Sequence, residues 1–558
     1  MKVLLYNDLD PARIPGFAKL KKALEQERFD QADVKKIGDN LYRARLNRDH
    51  RLLFALHKHN SATYCLVLEY IPNHAYEKSR FLQRGVTVDE ERIPTLASLA
   101  EAPEDKSQPP LTYLNPDSER FNLLDKIISF DPHQQTVFDQ IPPLMVIGSA
   151  GSGKTALTLE KMKQAPGDVL YVSHSPFLVQ SARNLYFAHH YDNGDQNIDF
   201  LSFREFLESI QVPHGREIHL KDFELWFNRH KGSSKLKDPH KLFEEFRGVL
   251  TGPSTAAPWL SREDYLQLGV RQSIFNEVER PRVYDLFEKY LKHLDKEALY
   301  DTNIISHSYL EKVWPRYDFV VVDEVQDITN IQLFLILKTL RTPGNFILCG
   351  DSNQIVHPNF FSWSKVKSLF FEQRDLTDQG EIIRILQSNY RNAPMVTEVA
   401  NRILKLKQAR FGSIDKESNY LVNSIGDHPG QLQLLADSKA IKQDLDSKTA
   451  LSTRFAVLVM HPEQKASARQ WFSTPLVFSI QEAKGLEYDN IILYNFVSDE
   501  EKAFREIAAG VDPAALDKDT LEYARARSKQ DKSLEVYKFF INALYVAITR
   551  AVSHLYIV

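Results

Sequence analysis

The stretch Gly148-Ser149-Ala150-Gly151-Ser152-Gly153-Lys154-Thr155 fits the pattern G-x-x-x-x-G-K-[ST]. It directly follows the apolar run Leu144–Ile147 and opens a helical pattern. Glycines in such a strand–loop–helix unit let backbone N–H groups close around a polyphosphate, and the helix N-terminus adds its positive dipole end. We therefore predict that these eight residues form a P-loop for a nucleoside triphosphate, with Lys154 at the β- and γ-phosphates and Thr155 at Mg²⁺.

A second apolar run ends in acidic residues. Phe319–Val322 is followed by Asp323-Glu324-Val325-Gln326-Asp327. An acid at the carboxyl end of a strand in the P-loop sheet can hold Mg²⁺, and its neighbour can activate a water molecule. We expect Asp323 to bind the metal and Glu324 to act as the general base, which predicts hydrolysis of the bound nucleotide.

Strand-like runs alternate with helical patterns on both sides of these motifs, which predicts an α/β fold with parallel sheets. The first series of predicted strands is Leu144–Ile147, Val169–Ser173, Phe319–Val322, Asn345–Cys349 and Ile382–Leu386. The second series is Gln431–Leu435, Phe455–Met460, Leu476–Ile480, Asn490–Tyr494 and His554–Val558. Residues 202–300 break this rhythm with aromatic and charged residues at helical spacing, which indicates a helical insertion.

Further motifs in the same order resemble those of the UvrD/Rep/PcrA superfamily 1 helicases, over about residues 125–558. The acidic stretch is close to that family's DExQD box. The other similar stretches are the Q motif Phe130-Asp131-Pro132-His133-Gln134, Gly350-Asp351-Ser352-Asn353-Gln354, Asn389-Tyr390-Arg391, Lys484-Gly485-Leu486-Glu487 and Tyr545-Val546-Ala547-Ile548-Thr549-Arg550-Ala551. The resemblance implies two RecA-like lobes: residues 121–201 with 301–388, and residues 389–558.

The resemblance also implies roles for single residues. In the family's pattern Gln134 reads adenine, Tyr390 stacks on it and Glu487 contacts the ribose. Gln354 senses the γ-phosphate, Arg391 contacts it and Arg550 is an arginine finger. The implied activity is an ATP- and Mg²⁺-dependent translocase or helicase on single-stranded nucleic acid, DNA rather than RNA, moving 3′→5′.

Strand contacts are expected from four residues that match the family's positions: Ser173, His174 and Ser175 at a strand end, and Trp363 as a base-stacking ring. The stretch Ser479–Ala483 lacks the family's usual Thr and His. The interval from Arg391 to Ser479 is too short for the family's large second accessory domain. These departures favour translocation over processive unwinding.

The N-terminal part differs from the rest of the chain in its charge and in its pattern of predicted strands and helices. Residues 1–85 hold sixteen Lys or Arg and ten Asp or Glu, although the whole chain carries a net charge of −4. Strand patterns at Lys2–Tyr6, Leu41–Leu46, Arg51–His57 and Thr63–Ile71, with a helix at Phe17–Glu27, predict a small α+β module over residues 1–90. A proline-rich linker is expected over residues 91–120.

This module resembles RelE/ParE-type toxins, some of which cleave mRNA on the ribosome. The matching positions are Arg43, Arg45, Arg51, His74 and Tyr76. The favoured interpretation is a degenerate copy that docks a protein, ribosome or RNA partner, with its strand arginines in solvent. Two rival functions stay open: a toxin-derived RNA-acting effector regulated by the ATPase, and a nucleotide-dependent switch that binds a protein partner.

Composition excludes several classes of protein. With 43% hydrophobic and 26% charged residues, the chain is neither disordered nor fibrous. The sequence shows no signal peptide and no apolar stretch that could span a membrane, so we expect a cytoplasmic protein without a membrane partner. The two cysteines, Cys65 and Cys349, lie in strand-like runs and are expected to be buried thiols.

Overall fold

The computed structural model describes residues 1–59, 62–82, 88–102, 111–115, 117–124, 127–232, 236–253, 255–269, 272–355, 363, 366–367, 382–413, 416–426, 428–509, 511–521 and 533–558. The chain divides into two compact units. Unit 1 comprises residues 1–140, 159–164 and 180–195; unit 2 comprises residues 141–158, 165–179 and 196–558. None of the helices in this described part of the chain combines the length and apolar character needed to cross a bilayer.

Unit 1 contains the N-terminal module and the segment that follows it. Its elements are β1 (Lys2–Tyr6), α1 (Phe17–Glu25), β2 (Lys35–Gly38), β3 (Leu41–Arg45), β4 (Arg51–His59), β5 (Ala62–Ile71), β6 (Leu111–Tyr113), β7 (Arg120–Leu123), β8 (Ile127–Ile128) and α2 (Pro132–Asp139). The strands form one mixed sheet in the order β2-β3-β4-β5-β1-β7-β8-β6. The predicted helix and strands of the module are therefore confirmed, with small differences at their ends.

The predicted linker over residues 91–120 is wrong for its described residues. Leu96 donates its backbone N–H to the Val34 carbonyl at 2.8 Å, and Leu96, Leu99 and Ala102 pack against the module's core. Further along, β7 pairs in parallel with β1. Residues 103–110 and 116 lie outside the described residues. The proline content favoured an exposed segment. The structure instead packs apolar side chains of this segment against the core of the N-terminal module.

The Q motif also belongs to unit 1, although residues 121–140 were expected in the first lobe. Asp131 caps α2: its carboxylate accepts from the Gln134 backbone N–H at 2.6 Å, and the Gln134 side chain accepts from the Asp131 N–H at 3.1 Å. This reciprocal capping box fixes the start of the helix.

Unit 2 begins with the first lobe. Its elements are β9 (Leu144–Gly148), α3 (Lys154–Met162), β10 (Gly167–Ser173), α4 (Pro176–Tyr186), β11 (Gln196–Ser202) and α5 (Phe203–Ile210), and further on α10 (Thr302–Ser308), β14 (Phe319–Asp323), α11 (Asn330–Leu337), β15 (Phe346–Gly350) and β16 (Ile383–Leu386). The last turns of α3 and α4 are counted with unit 1. The strands pair in parallel in the order β11-β10-β14-β15-β9-β16, which confirms all five predicted strands. The edge strand β11 was not predicted.

Mostly helical elements follow α5, in the range expected to hold a helical insertion. Its elements are β12 (Arg216–Glu217), α6 (Leu220–His230), α7 (Pro239–Glu245), a π-helical segment (Phe246–Thr251), α8 (Arg262–Leu266), α9 (Arg280–Lys296) and β13 (Leu299–Tyr300). An aromatic core that includes Phe223, Trp226 and Tyr290 holds these helices together. In contrast, α5 buries Phe203 and Phe206 in the first lobe, so the boundary at residue 202 is too early.

The second lobe comprises α12 (Pro394–Phe411), β17 (Ser388–Asn389), β18 (Asn423–Ser424), β19 (Gln431–Leu434), α13 (Lys439–Thr449), β20 (Phe455–Val459), α14 (Lys465–Ala468), β21 (Val477–Ser479), α15 (Ile480–Ala483), β22 (Tyr488–Leu493), α16 (Glu501–Ala508), α17 (Ser533–Thr549) and β23 (Ala551–Ile557). Its parallel sheet has the order β19-β23-β22-β20-β21. All five strands predicted for this lobe are confirmed. Unit 2 thus holds two parallel α/β lobes, as expected of RecA-like domains.

Candidate nucleotide site

The P-loop has the backbone shape that a phosphate cradle requires. Gly151 and Gly153 have φ angles of +79° and +80°, which a residue with a Cβ rarely adopts. The Lys154 ammonium is buried and donates to the Gly148 and Ser149 carbonyls at 2.6 and 2.9 Å. The lysine therefore lies folded over the loop, where its charge is paired with backbone dipoles, and phosphate oxygens are a stronger partner for the same ammonium group.

The acidic pair lies at the carboxyl end of β14, beside the P-loop. The Asp323 carboxylate accepts from the Thr155 hydroxyl at 3.2 Å and from the Tyr171 hydroxyl at 2.6 Å. Burial, followed by the charge of Glu324, raises the pKa of Asp323. Glu324 itself has a left-handed backbone, with φ at +52°, and its carboxylate accepts from the Gln326 amide.

These groups fit a nucleotide-bound Mg²⁺. A buried carboxylate whose pKa is raised gains most from a nearby cation, and Thr155 supplies the hydroxyl oxygen that hard cations accept. The arrangement supports the expectation that Thr155 and Asp323 hold the metal. It also leaves Glu324 next to Asp323, in the part of the site where an attacking water would lie.

The Asn389-Tyr390-Arg391 turn contacts the P-loop directly. Tyr390 donates its backbone N–H to the Gly151 carbonyl at 2.9 Å, and the Asn389 amide donates to the Ala150 carbonyl at 3.0 Å. A Cβ on Gly151 would lie 2.5 Å from the Arg391 Cβ. The start of the second lobe is thus packed on the phosphate-binding loop of the first.

Two residues expected at the γ-phosphate meet between the lobes. The Arg550 guanidinium donates to the Gln354 amide oxygen at 2.9 Å, and the Gln354 amide nitrogen donates to the Asp351 carboxylate at 2.9 Å. Arg550 and Gln354 are both only 2% exposed. Burial, followed by the charge of Arg391, lowers the pKa of Arg550 to about 10. The structure therefore brings an arginine of the second lobe to Gln354 of the first.

The remaining predicted nucleotide contacts are placed differently. Arg391 forms an ion pair with Glu487 at 2.5 Å. The residue expected at the γ-phosphate is therefore paired with the residue expected at the ribose. The predicted adenine contacts of Gln134 and Tyr390 stay predictions.

The expected strand contacts need two corrections. Trp363 is completely buried in the core of the first lobe, so its ring is not available for stacking on a base in this structure. Ser173 is also fully buried, and its side chain does not reach the surface. His174 is exposed and Ser175 is partly exposed, so these two positions at the end of β10 remain candidates. The large apolar ring of Trp363 fills the core because burying it is the more favourable use of its surface.

In unit 1, the toxin-like residues converge on one carboxylate. Glu90 accepts hydrogen bonds from the Arg51 Nε at 2.9 Å and the Tyr76 hydroxyl at 2.5 Å, and it forms an ion pair with Arg43 at 3.0 Å. His74 approaches it to 3.5 Å. Burial opposes ionisation of Glu90, but bonds from Arg51 and Tyr76 outweigh it and lower the pKa.

The prediction that the strand arginines are solvated is therefore wrong for Arg43 and Arg51, which are 1% and 4% exposed. It holds for Arg45, which is exposed. Glu90 lies outside the toxin-like pattern, so nothing in that pattern indicated an internal partner for the arginines.

Sequence reasoning missed Asn392, a buried residue that joins two motifs. Its amide nitrogen donates to the Thr549 carbonyl at 3.1 Å and to the Ala551 carbonyl at 2.6 Å, and its backbone N–H donates to the Asn389 side chain at 2.9 Å. It follows Arg391 immediately in the chain, and this adjacency was the only available signal.

Comparisons with known proteins agree with the motif order. The family model of the UvrD/REP helicase N-terminal domain matches residues 257–368. ATP-dependent DNA helicase Rep of Buchnera aphidicola is 22% identical over 47% of this chain and 42% of the relative. A probable DNA helicase II homolog of Mycoplasma capricolum is 22% identical over 52% of this chain and 42% of the relative.

Two further proteins are similar to this chain. The human TPR and ankyrin repeat-containing protein 1 is 26% identical over 60% of this chain, a stretch that makes up 13% of that protein. A solved Arterivirus nonstructural protein 10 (helicase) in complex with DNA aligns over 74% of this chain and 60% of that chain, with 11% identity and a TM-score of 0.29.

The chain spans less than half the length of the curated relatives named above. The motifs in their order, the two parallel lobes that carry them and the matched family model together make the chain similar to the UvrD-like superfamily 1 helicases.

Proposed function

We propose that the chain hydrolyses ATP between its two lobes and uses the cycle to move along single-stranded nucleic acid, DNA in preference to RNA, in the 3′→5′ direction. The observation that carries the proposal is the convergence of Arg550 on Gln354 beside the P-loop and Asp323. Neither lobe alone holds a complete set of phosphate-binding and charge-neutralising groups. Closure of the lobes on a nucleotide would complete it.

The residues divide the chemistry among them. Lys154 binds the β- and γ-phosphates, and Glu324 orients and deprotonates the attacking water. Arg391 and Arg550 neutralise charge on the transferred group, an effect worth roughly 10³–10⁵ in rate in other nucleotide hydrolases. Mg²⁺, held by Thr155 and Asp323, would neutralise charge on the phosphates when bound.

Nucleotide binding must rearrange contacts between the lobes. Arg391 has to leave Glu487, and the bond between Arg550 and Gln354 has to open for either to contact a γ-phosphate. These exchanges give the nucleotide a different affinity for the open and closed lobes, which is the condition for a ligand to shift a conformational equilibrium. Hydrolysis then reverses this shift. If each lobe binds the strand tightly in one state and weakly in the other, the repeated opening and closing moves the protein along the strand.

The experiment that tests the proposal measures ATP hydrolysis with no nucleic acid, with single-stranded DNA and with single-stranded RNA at one salt concentration. Salt must be fixed because phosphate contacts weaken steeply as it rises. We expect strong stimulation by a strand, with DNA the better activator. Lys154→Ala and Glu324→Gln should abolish turnover, whereas Lys221→Ala on the exposed face of α6 should not.

The rival functions predict other results. A nucleotide-dependent switch would show a basal ATPase that no strand alters, with ATP changing its affinity for a protein partner. An RNA-acting effector would cleave mRNA on ribosomes, and the cleavage would depend on Tyr76 and Arg51. Stimulation by neither strand would remove the translocase proposal.

A further inference from the structure

One ion pair joins two motifs across the lobes. The Lys484 ammonium, in the second lobe, lies 2.6 Å from both carboxylate oxygens of Asp327, the last residue of the acidic stretch in the first lobe. Their side chains are 10% and 15% exposed. The pair is therefore partly desolvated, yet still within reach of a ligand that enters from solvent.

Arg247 and His174 are electrostatic neighbours of this pair. His174, at the end of β10, is accessible to solvent although many protein atoms lie around it. The pKa of His174 is lowered, first by these surroundings and then by the charges of Arg247 and Lys484, while Asp327 raises it. The charges of Asp327, Arg247 and Lys484 therefore all act on His174, which is uncharged at neutral pH.

The insertion supplies Arg247 through a fixed connection. Its π-helical segment is tied to the first lobe because the Asn303 amide donates to the Arg247 carbonyl at 2.9 Å and accepts from the Thr329 hydroxyl at 2.8 Å. Ile331 also donates its N–H to the Gly252 carbonyl at 3.1 Å. The segment that carries Arg247 is therefore held to Asn303, which also binds Thr329, two residues after the acidic stretch.

Asp327 is also linked to the expected general base. Its backbone N–H donates to the Glu324 carbonyl at 2.9 Å, closing a single turn over Glu324–Asp327. Glu324 holds a left-handed conformation in this turn, which costs an L-residue roughly 1–2 kcal/mol. Such strain persists only where the surrounding structure maintains it, and the ion pair of Asp327 with Lys484 is part of that structure.

We propose that a phosphodiester of a single strand displaces Asp327 from Lys484 and thereby releases the turn that positions Glu324. The inference rests on the proposed function and adds how the strand would stimulate hydrolysis. A phosphate replaces the carboxylate as the anion paired with Lys484, so the lysine exchanges one charge-assisted partner for another. Arg247 adds positive charge that attracts the strand to this place, and the uncharged His174 can offer a hydrogen bond to it.

The test compares two variants that break the pair from opposite sides. Asp327→Asn and Lys484→Met should both raise strand-free ATP hydrolysis towards the stimulated rate, by about tenfold if the coupling lies in the usual range. Their effects on strand affinity should be opposite, because the first removes a competing anion and the second removes the cation. Lys448→Met, which breaks the exposed pair with Asp444 on α13, is the matched control and should change neither.

Strand binding is measured separately, by fluorescence anisotropy of oligo(dT) and oligo(U) across a salt series with no nucleotide present. Lys484→Met should reduce the salt slope by about 0.7, the value for one phosphate contact on a single strand. The same loss with both oligonucleotides indicates recognition of the shared phosphodiester; a loss with one of them names the strand that this pair serves.

Two results would overturn the inference. One is wild-type strand-free ATPase in both variants while the wild type itself responds to a strand; the other is equal weakening of strand binding by both substitutions. If the wild-type protein neither hydrolyses ATP faster with a strand nor binds one, the proposed function fails first, and the inference fails with it.

Discussion

Replacing Gly151 by alanine should separate the P-loop from the turn that closes over it. Gly151 has a φ of +79°, and an added Cβ would lie 2.5 Å from the Arg391 Cβ and 2.6 Å from the Asn389 amide oxygen. Real Cβ atoms do not approach this closely, and the Asn389 amide oxygen is held in place because it accepts from the Arg391 and Asn392 backbone N–H groups. The substitution therefore opposes the packed arrangement of both segments.

The size of the effect follows from two costs. An L-residue in the left-handed region costs roughly 1–2 kcal/mol, and overpacking a tight contact costs typically about 1–3 kcal/mol more. The loop can relieve this strain by moving away from Arg391, but nucleotide binding needs the closed arrangement. At about 1.4 kcal/mol per factor of ten, we expect ATP affinity to fall by roughly thirtyfold or more.

The assay is direct titration with a fluorescent ATP analogue, with thermal unfolding to confirm that the variant is folded. Gly194→Ala is the matched control, since a Cβ there meets nothing within 4 Å and its φ is not in the left-handed region. ATP affinity within about threefold of the wild type for Gly151→Ala would refute the contact between P-loop and turn as a determinant of binding.

Three further substitutions test other parts of the account. Arg550→Ala should lower the hydrolysis rate by roughly 10³ or more while ATP affinity changes far less; a rate within about tenfold of the wild type would remove Arg550 from the catalytic groups. Asn392→Ala leaves the Thr549 and Ala551 carbonyls without their donor and should destabilise the protein to urea by about 1–3 kcal/mol; an unchanged midpoint would contradict this. Glu90→Gln should reduce hydrogen-exchange protection of the strands that carry Arg43 and Arg51 near pH 7, and undiminished protection would contradict the role of the carboxylate.

The effect of Glu90→Gln should also depend on pH. The folded protein lowers the pKa of Glu90, so its stabilising contribution is fully present above the unfolded pKa and is lost as the pH falls through the folded value. The difference in protection between wild type and variant should therefore shrink as the solution becomes more acidic. A difference that stays constant down to low pH would indicate that the substitution acts through packing instead.

Local patterns in the sequence predicted the strands of both lobes and the P-loop because these depend on short apolar runs and on glycine. The placement of Asp323 beside Thr155 could also be expected, since each follows its strand or loop directly. The patterns did not reveal contacts between residues that are distant in sequence. Glu90 binds Arg51, and it lies close to the segment that was predicted to be a linker. The sequence also could not decide whether the ring of Trp363 stacks on a base or packs in the core, where the structure places it.

Charge patterns failed for a related reason. An arginine on a strand is usually solvated, and only the folded chain shows whether a carboxylate lies opposite it. The capping box of Asp131 and Gln134 illustrates the same point for a predicted nucleotide contact, because part of the Gln134 side chain is used to begin a helix. Polar side chains with two possible uses were the ones whose roles could not be assigned from the sequence.

The central claim is that ATP hydrolysis drives movement along a strand, and displacement of streptavidin from biotinylated oligonucleotides tests it most directly. The account predicts ATP-dependent displacement from the 5′ end of single-stranded DNA, much slower displacement from the 3′ end, and none with Glu324→Gln. Failure to displace streptavidin from either end, by a protein whose ATPase the same oligonucleotide stimulates, would contradict the claim of translocation.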